Sequence, residues 1–311
     1  MNLDPGMTRE RLETGCWPDG AAHVDGRYVP IADARISVLD FGFTRSDACY
    51  DVVHVHDGAF FRLDDHLRRF RASLAGVRMS VPYDDAALTA ILAECVRLTG
   101  HRDSYVAMVC TRGVPPARVR GAVTGIPNTF IAYALPWIDV LSAEIQQRGA
   151  HVMIASTPRI PSESVDPTIK NYNRGDMVRA LFEAEDAGAD TAILLDLAGH
   201  VTEGPGFNVF AVSGDSVRTP ASGALEGVTR LAALELCAEL GLDAAAADLT
   251  PDDLHDADEV FLTSTAGGII AVTRIDNRIL SNDSPGPVTR RITDLYWKWH
   301  RDDRHATPVA Y

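Results

Sequence analysis

Asp166-Pro167-Thr168-Ile169-Lys170-Asn171-Tyr172-Asn173-Arg174-Gly175-Asp176 is the stretch on which the reading of this chain turns. Its lysine stands out because lysine is scarce. The 311 residues hold 29 basic side chains, and only Lys170 and Lys298 among them are lysines, which leaves 27 arginines. Arginine stays protonated in proteins, whereas a lysine amine can lose its proton and attack a carbonyl. Lys170 precedes an amphipathic run that starts at Asp176, so it is expected on a strand end or loop, where a side chain can project into a cleft. Taken alone, a solvated lysine is the competing reading.

Outward from Lys170 the chain mixes strands and helices. Arg27 to Val38 reads as extended, and Tyr50 to Val55 as a strand. Asp57-Gly58 is a hairpin signal leading to Phe60-Phe61. Helices are expected over Leu63 to Leu74 and Tyr83 to Thr99, and strands over Ser104 to Thr111 and Thr129 to Leu135. Pro136 to Gln147 reads as a linker. Beyond it the pattern predicts strands at Val152 to Ser156, Thr191 to Asp196, Phe207 to Val212 and Glu259 to Thr263. Helices are predicted at Asp176 to Ala187, Thr229 to Leu240 and Pro287 to Trp299. The Ala244 to Ala247 run is given no element. The expected organisation is a domain over residues 1–136, a linker over 137–147 and a second domain over 148–311, a length that suits two cores of ordinary size.

Composition narrows the class. Hydrophobic residues make up 46% and charged residues 23%, as in a globular protein, and no stretch is long and apolar enough to cross a membrane. Met1 to Gly20 has no apolar signal-peptide core. The five cysteines are scattered without a C-x-x-C pair, so neither a disulfide framework nor a zinc or other metal site is expected, and a reducing cytoplasm is the simplest compartment. The net charge of -14 opposes nucleic acid as a partner.

Four further stretches could serve a flat anionic ligand. In Thr202-Glu203-Gly204-Pro205-Gly206-Phe207-Asn208, glycines would let a ligand approach the backbone beside a carboxylate. Leu225-Glu226-Gly227-Val228-Thr229-Arg230 opens a helix whose free N–H groups favour phosphate. Thr263-Ser264-Thr265-Ala266-Gly267-Gly268 is a hydroxyl- and glycine-rich segment after a strand, and Asp64-Asp65-His66-Leu67-Arg68-Arg69-Phe70 is either an anion site or an exposed basic helix face.

In this order the pieces resemble the class IV, or fold-type IV, pyridoxal-phosphate (PLP) aminotransferases, and within them most nearly the (R)-selective amine transaminases. Ser46 through Val52, Phe61 through Arg69, Thr111-Arg112-Gly113, Asp166 through Asn171, Thr202 through Asn208, Gly227 through Arg230 and Thr265 through Gly268 carry the resemblance. It spans Gly26 to Trp299. It implies an α+β fold, with a small N-terminal α/β sandwich and a C-terminal pseudo-barrel, PLP as cofactor between them, and a homodimer.

The resemblance also implies roles. Lys170 matches the lysine that carries PLP, and Glu203 the acid facing the pyridine nitrogen. Arg69, Val228, Thr229 and Thr265 match the phosphate cup, and Phe207 and Leu225 match residues packing on the ring. Tyr50, Val52, Arg112 and Ala266 match the substrate pocket. The chain departs from the (R)-amine pattern at Arg45 in place of His, Arg174 in place of a large aromatic, Ala107 in place of an acid and Pro205 in place of a small hydroxyl residue. The expected activity is transfer of an amino group between an (R)-amine or D-amino acid and a keto acid or ketone. Arg45, Arg112 and Arg174 would favour carboxylate-bearing partners over bulky aryl amines. The alternatives are a branched-chain L-amino-acid aminotransferase, an aminodeoxychorismate-lyase-like enzyme, or a PLP-holding scaffold without turnover.

Overall fold

The computed structural model describes residues 16–116 and 124–311. Most of Met1 to Gly20 therefore lies outside the described residues. The chain divides into two compact units. The first takes the described residues up to Ile138, together with Lys170–Tyr172 and Asp303–Tyr311; the second takes Asp139–Ile169 and Asn173–Asp302.

In the first unit the strands are β1 (Ala21–Val24), β2 (Arg27–Pro30), β3 (Ala48–His56), β4 (Ala59–Phe61), β5 (Ser104–Thr111) and β6 (Thr129–Pro136). With the C-terminal strand Ala306–Pro308 they form one sheet, in the order Ala306–Pro308, β4, β3, β5, β6, β1, β2. Three helices accompany it: α1 (Phe41–Arg45), α2 (Leu63–Gly76) and α3 (Asp85–Thr99). Helix α2 packs on β3, and α3 packs on β6, β1 and β5. The extended reading of Arg27 to Val38 fails after Pro30, where Ile31–Asp33 turn into a 3-10 helix. Proline has no N–H to give a ladder, so the strand ends there.

Strand alternation divides the sheet into two chemically different faces. Asp51 and Val53 belong to the face on which α2 packs. Tyr50 and Val52 belong to the other, in cross-strand rows Tyr50–Val109–Ile131 and Val52–Ala107–Tyr133. Tyr50, Val52, Ala107 and Val109 are buried there with Tyr105, Ile131 and Tyr133 packed against them.

The second unit holds β7 (Ala150–Ile154), β8 (Thr191–Ile193), β9 (Glu203–Gly204), β10 (Phe207–Ser213), β11 (Ser216–Pro220), β12 (Asp243–Ala247), β13 (Glu259–Ser264), β14 (Gly268–Ile275) and β15 (Arg278–Ile279). They make a nine-stranded sheet in the order β12-β11-β10-β13-β14-β7-β8, with β9 on β10 and β15 on β14. Most neighbours are antiparallel, but β11–β12, β14–β7 and β7–β8 are parallel. Its helices are α4 (Ala143–Arg148), α5 (Gly175–Asp186), α6 (Val228–Glu239), α7 (Pro251–Asp256) and α8 (Pro287–Trp299). Val152, Ile193, Val209, Val260, Leu262, Ile270 and Val272 fill the core of this sheet. The mixed sheets and helices make an α+β protein. Strand β12 falls on the alanine run that the sequence pattern left without an element. Within the segment read as a linker, the Ser142 side chain accepts from Ile145 N–H and caps α4.

Candidate active site

Lys170 lies outside regular secondary structure and is pinned by its own backbone. Its carbonyl accepts from Tyr50 N–H at 2.9 Å, its N–H donates to Ser73 Oγ at 3.1 Å, and Asn171 bridges to Cys49. The N-terminal half of β3 has β5 on one side, and β4 pairs only with its C-terminal end. Residues 170–171 take the open edge. The Lys170 Nζ stands 4.9 Å from the centroid of the Tyr50 ring, which stacks on Tyr172 at 4.4 Å and 6°. The amine therefore stands at the apolar face that carries Tyr50, Val52, Ala107 and Val109.

Arg69 does not lie on an exposed basic face. Its side chain is 10% exposed and grips Asp51, with Nε donating to Oδ2 at 2.7 Å and Nη2 to Oδ1 at 2.8 Å. Asp51 is fully buried and also meets His66 Nδ1 at 2.8 Å. Burial alone would raise the Asp51 pKa. The charge of Arg69 and the hydrogen bonds from Arg69 and His66 outweigh burial and hold this carboxyl well below the usual range. A bidentate grip on a buried anion fixes the direction of the arginine fork.

Arg112 is used internally. Its Nε and Nη2 hold Asp47 at 2.9 Å each, and its Nη groups also donate to the Val77 and Arg78 carbonyls. Arg45 is exposed at the end of α1 and stacks on Phe41 at 3.6 Å.

The second unit carries the rest of the residues singled out from the sequence. Glu203 and Phe207 lie on the two strands of a tight hairpin, β9 to β10, in which Phe207 pairs with Gly204 and Asn208 with Glu203. The turn is Pro205-Gly206, with Gly206 at φ +94. Gly204 is required: a Cβ there would stand 2.1 Å from Phe207 Cζ and 2.5 Å from the Ala192 carbonyl. Glu203 is buried. Its Oε1 accepts from Arg159 Nη2 at 2.8 Å, and its Oε2 from the Leu225 N–H at 3.1 Å.

Asn208 holds the loop before α6, donating from Nδ2 to the Leu225 carbonyl at 2.8 Å, and its Oδ1 leaves no room for a Cβ at Gly227. Helix α6 then begins at Val228 and Thr229, both buried, with no side-chain cap on its first turn. Thr265 and Ala266 form the turn between β13 and β14, where Ala266 N–H donates to Ser264 Oγ at 3.2 Å. Arg174 is half-buried at the N-terminus of α5.

Three residues in these networks carried no assignment from the sequence. Arg159 and Ser73 sit in stretches with no motif signal of their own, Asp51 lies inside the Ser46 to Val52 motif without a role there, and only their buried partners mark them.

These residues fit PLP. An uncapped helix start suits the phosphate, a buried carboxylate with acceptor capacity suits the pyridine nitrogen, and the buried hydroxyl of Thr263 has no hydrogen-bond partner among the described residues. The profile of the family described as Amino-transferase class IV matches residues 48–275.

This chain is a class IV aminotransferase.

Among its relatives is a D-alanine aminotransferase of Bacillus licheniformis. It is 32% identical over 270 residues, covering 86% of this chain and 93% of the relative. A Methanocaldococcus jannaschii chain with the provisional name branched-chain-amino-acid aminotransferase is 31% identical over 283 residues, covering 89% and 96%. The branched-chain amino acid aminotransferase from Thermobaculum terrenum, in its PLP-form, superposes with a TM-score of 0.84 at 27% identity, covering 94% of this chain and 99% of the other. The class IV aminotransferase thus has the fold-type IV architecture and uses PLP. Among the described residues no helix is long and apolar enough to cross a membrane.

Proposed function

We propose that this aminotransferase exchanges the amino group of an apolar, branched-chain type 2-amino acid with a 2-oxo acid. The observation that carries the reading is the surface beside the Lys170 amine. Rows Tyr50–Val109–Ile131 and Val52–Ala107–Tyr133 give it an apolar floor. Such a floor gains from burying an aliphatic side chain at roughly 25 cal/mol per Å².

PLP, when bound, supplies the electron sink for the bond-breaking step. The chain supplies position and charge. Lys170 is the attachment point and the base that moves a proton from the donor Cα. Glu203 would meet the pyridine nitrogen. Arg69, Val228 through its N–H, Thr229 and Thr265 would hold the phosphate, and Phe207 and Leu225 would pack on the ring. Ala266 and Arg174 border the substrate.

A second reading is transfer from (R)-amines or D-amino acids. The D-alanine aminotransferase relative and the Ser46-Asp47 to Arg69 motif set favour it. Mixing the PLP form with L-leucine, L-valine, D-alanine or (R)-1-phenylethylamine, without acceptor, separates the two. The aminated cofactor should form fastest with the L-branched donors. Faster conversion by D-alanine or the (R)-amine selects the second reading, and no conversion by any donor returns the chain to a scaffold.

A homodimer is part of the proposal. Ile36, Val38, Leu39 and Phe43 leave one short segment of the first unit with 44%, 71%, 64% and 66% exposure, an apolar patch that a second copy would cover. Five free thiols fit a reducing cytoplasm.

A further inference from the structure

Arg159 lies 11 residues before Lys170 in a stretch without any motif. Its position is fixed by the fold. Its N–H donates to the Leu195 carbonyl, while Leu194 exchanges backbone hydrogen bonds with Thr202 and Glu203. The guanidinium then reaches two carboxylates, with Nη1 donating to Asp176 Oδ2 at 2.6 Å and Nη2 to Glu203 Oε1 at 2.8 Å. The three side chains are 10%, 5% and 8% exposed.

Two features set this cluster apart from an ordinary fold staple. Its charges do not cancel: two carboxylates face one guanidinium, a surplus of one negative charge in a nearly dry place. A buried surplus is costly unless a further cation arrives. Asp176 cannot swing away to relieve it, because Oδ2 also takes the Ile160 N–H and Oδ1 the Met177 N–H. Glu203 is the member with more acceptor capacity left, since a carboxylate offers about four lone-pair sites and two are used on Glu203 against three on Asp176. Nor is the arrangement optimal for stability alone, because the Arg159 Nε–H is buried without an acceptor among the described residues.

We propose that Arg159 is a positioning residue for the cofactor ring. By spanning Asp176 and Glu203 it holds the Glu203 carboxylate in one orientation, and that fixed carboxylate selects a protonated ring nitrogen over a neutral ring. The inference rests on the reading of Glu203 given above, and the test separates the two.

The measurement is the affinity of the apo-protein for PLP and for an analogue whose ring nitrogen is replaced by C–H, with aldehyde and phosphate kept. The wild type should prefer PLP. Glu203→Gln should reduce that preference about tenfold or more. Arg159→Met should reduce it comparably in the wild-type background and leave it unchanged in the Glu203→Gln background. If Glu203→Gln lowers the preference and Arg159→Met does not, Arg159 is only a staple and the proposal falls while Glu203 keeps its role. If neither variant alters it, the reading of Glu203 fails and takes the proposal with it. Circular dichroism checks the fold. Should Arg159→Met not fold, two milder variants read the same preference. Arg159→Lys keeps the charge but loses the fork, and Asp176→Asn weakens the second anchor of the guanidinium that holds Glu203. Both should lower the preference, and an unchanged value in both overturns the proposal.

Discussion

Replacing Asp51 with asparagine should destabilise the first unit and loosen PLP binding together. Asp51 is fully buried and holds Arg69 through two hydrogen bonds and His66 through one. Breaking a buried pair by removing one charge costs about 3–5 kcal/mol, because the other charge stays buried without its partner. Asparagine keeps one acceptor oxygen, which recovers about 1 kcal/mol. The expected loss is therefore about 2–4 kcal/mol, or roughly 10 °C in the melting temperature of a unit this size. The pH dependence carries a second signature. The folded Asp51 pKa lies below the unfolded value of about 3.9, so its contribution is whole above that pH and fades as pH falls through the folded value. Wild type and variant should differ by a constant above about pH 5 and converge in strong acid. Thermal unfolding of the apo-protein across pH, with a parallel PLP titration, reads both effects. A loss below about 1 kcal/mol at neutral pH would refute the argument that Asp51 is the buried counter-charge of Arg69.

Other outcomes follow from the same geometry. Borohydride reduction of the PLP-loaded enzyme should place the label on Lys170 and Lys170→Ala should abolish turnover; label on Lys298 alone would end the assignment. Glu203→Gln should retain PLP but slow transamination on the order of a hundredfold, the usual loss of a preorganised electrostatic partner, and an unchanged rate removes it from the site. Gly204→Ala should cost about 1–3 kcal/mol through overpacking, since its Cβ meets Phe207 and the Ala192 carbonyl, and an unshifted melting curve would show that the hairpin has room. Burial holds the pKa of His23 below 6.5, against a weaker opposing backbone hydrogen bond, so the neutral ring is favoured in the fold. Its contribution is complete above the unfolded value of about 6.5 and is lost as pH falls through the folded one, and His23→Phe should flatten the decline in melting temperature between pH 7 and pH 5.

The chemistry-bearing stretches were legible in the sequence because each is local. Lys170 with its neighbours, the Glu203–Asn208 hairpin and the start of α6 combine turn chemistry, glycine and a helix signal within a few residues. Most strands and helices of both units follow from apolar periodicity, down to Ser104–Thr111 and Pro287–Trp299, which agree end to end. Where local preference is weak, the fold had to decide. The alanines of β12 have no strand preference of their own, and they extend because they run parallel beside Ser216–Pro220. Arg69 reads from sequence as either an exposed basic face or an anion site, and Arg112 reads as a substrate arginine. The fold closes the first on Asp51 and the second on Asp47. Arg159 is the clearest case. Its partners Asp176 and Glu203 lie 17 and 44 residues away. A charge pair at such separations leaves no periodicity and no motif, because what selects it is the cost of burying an ion alone, and that cost arises only once the chain has folded.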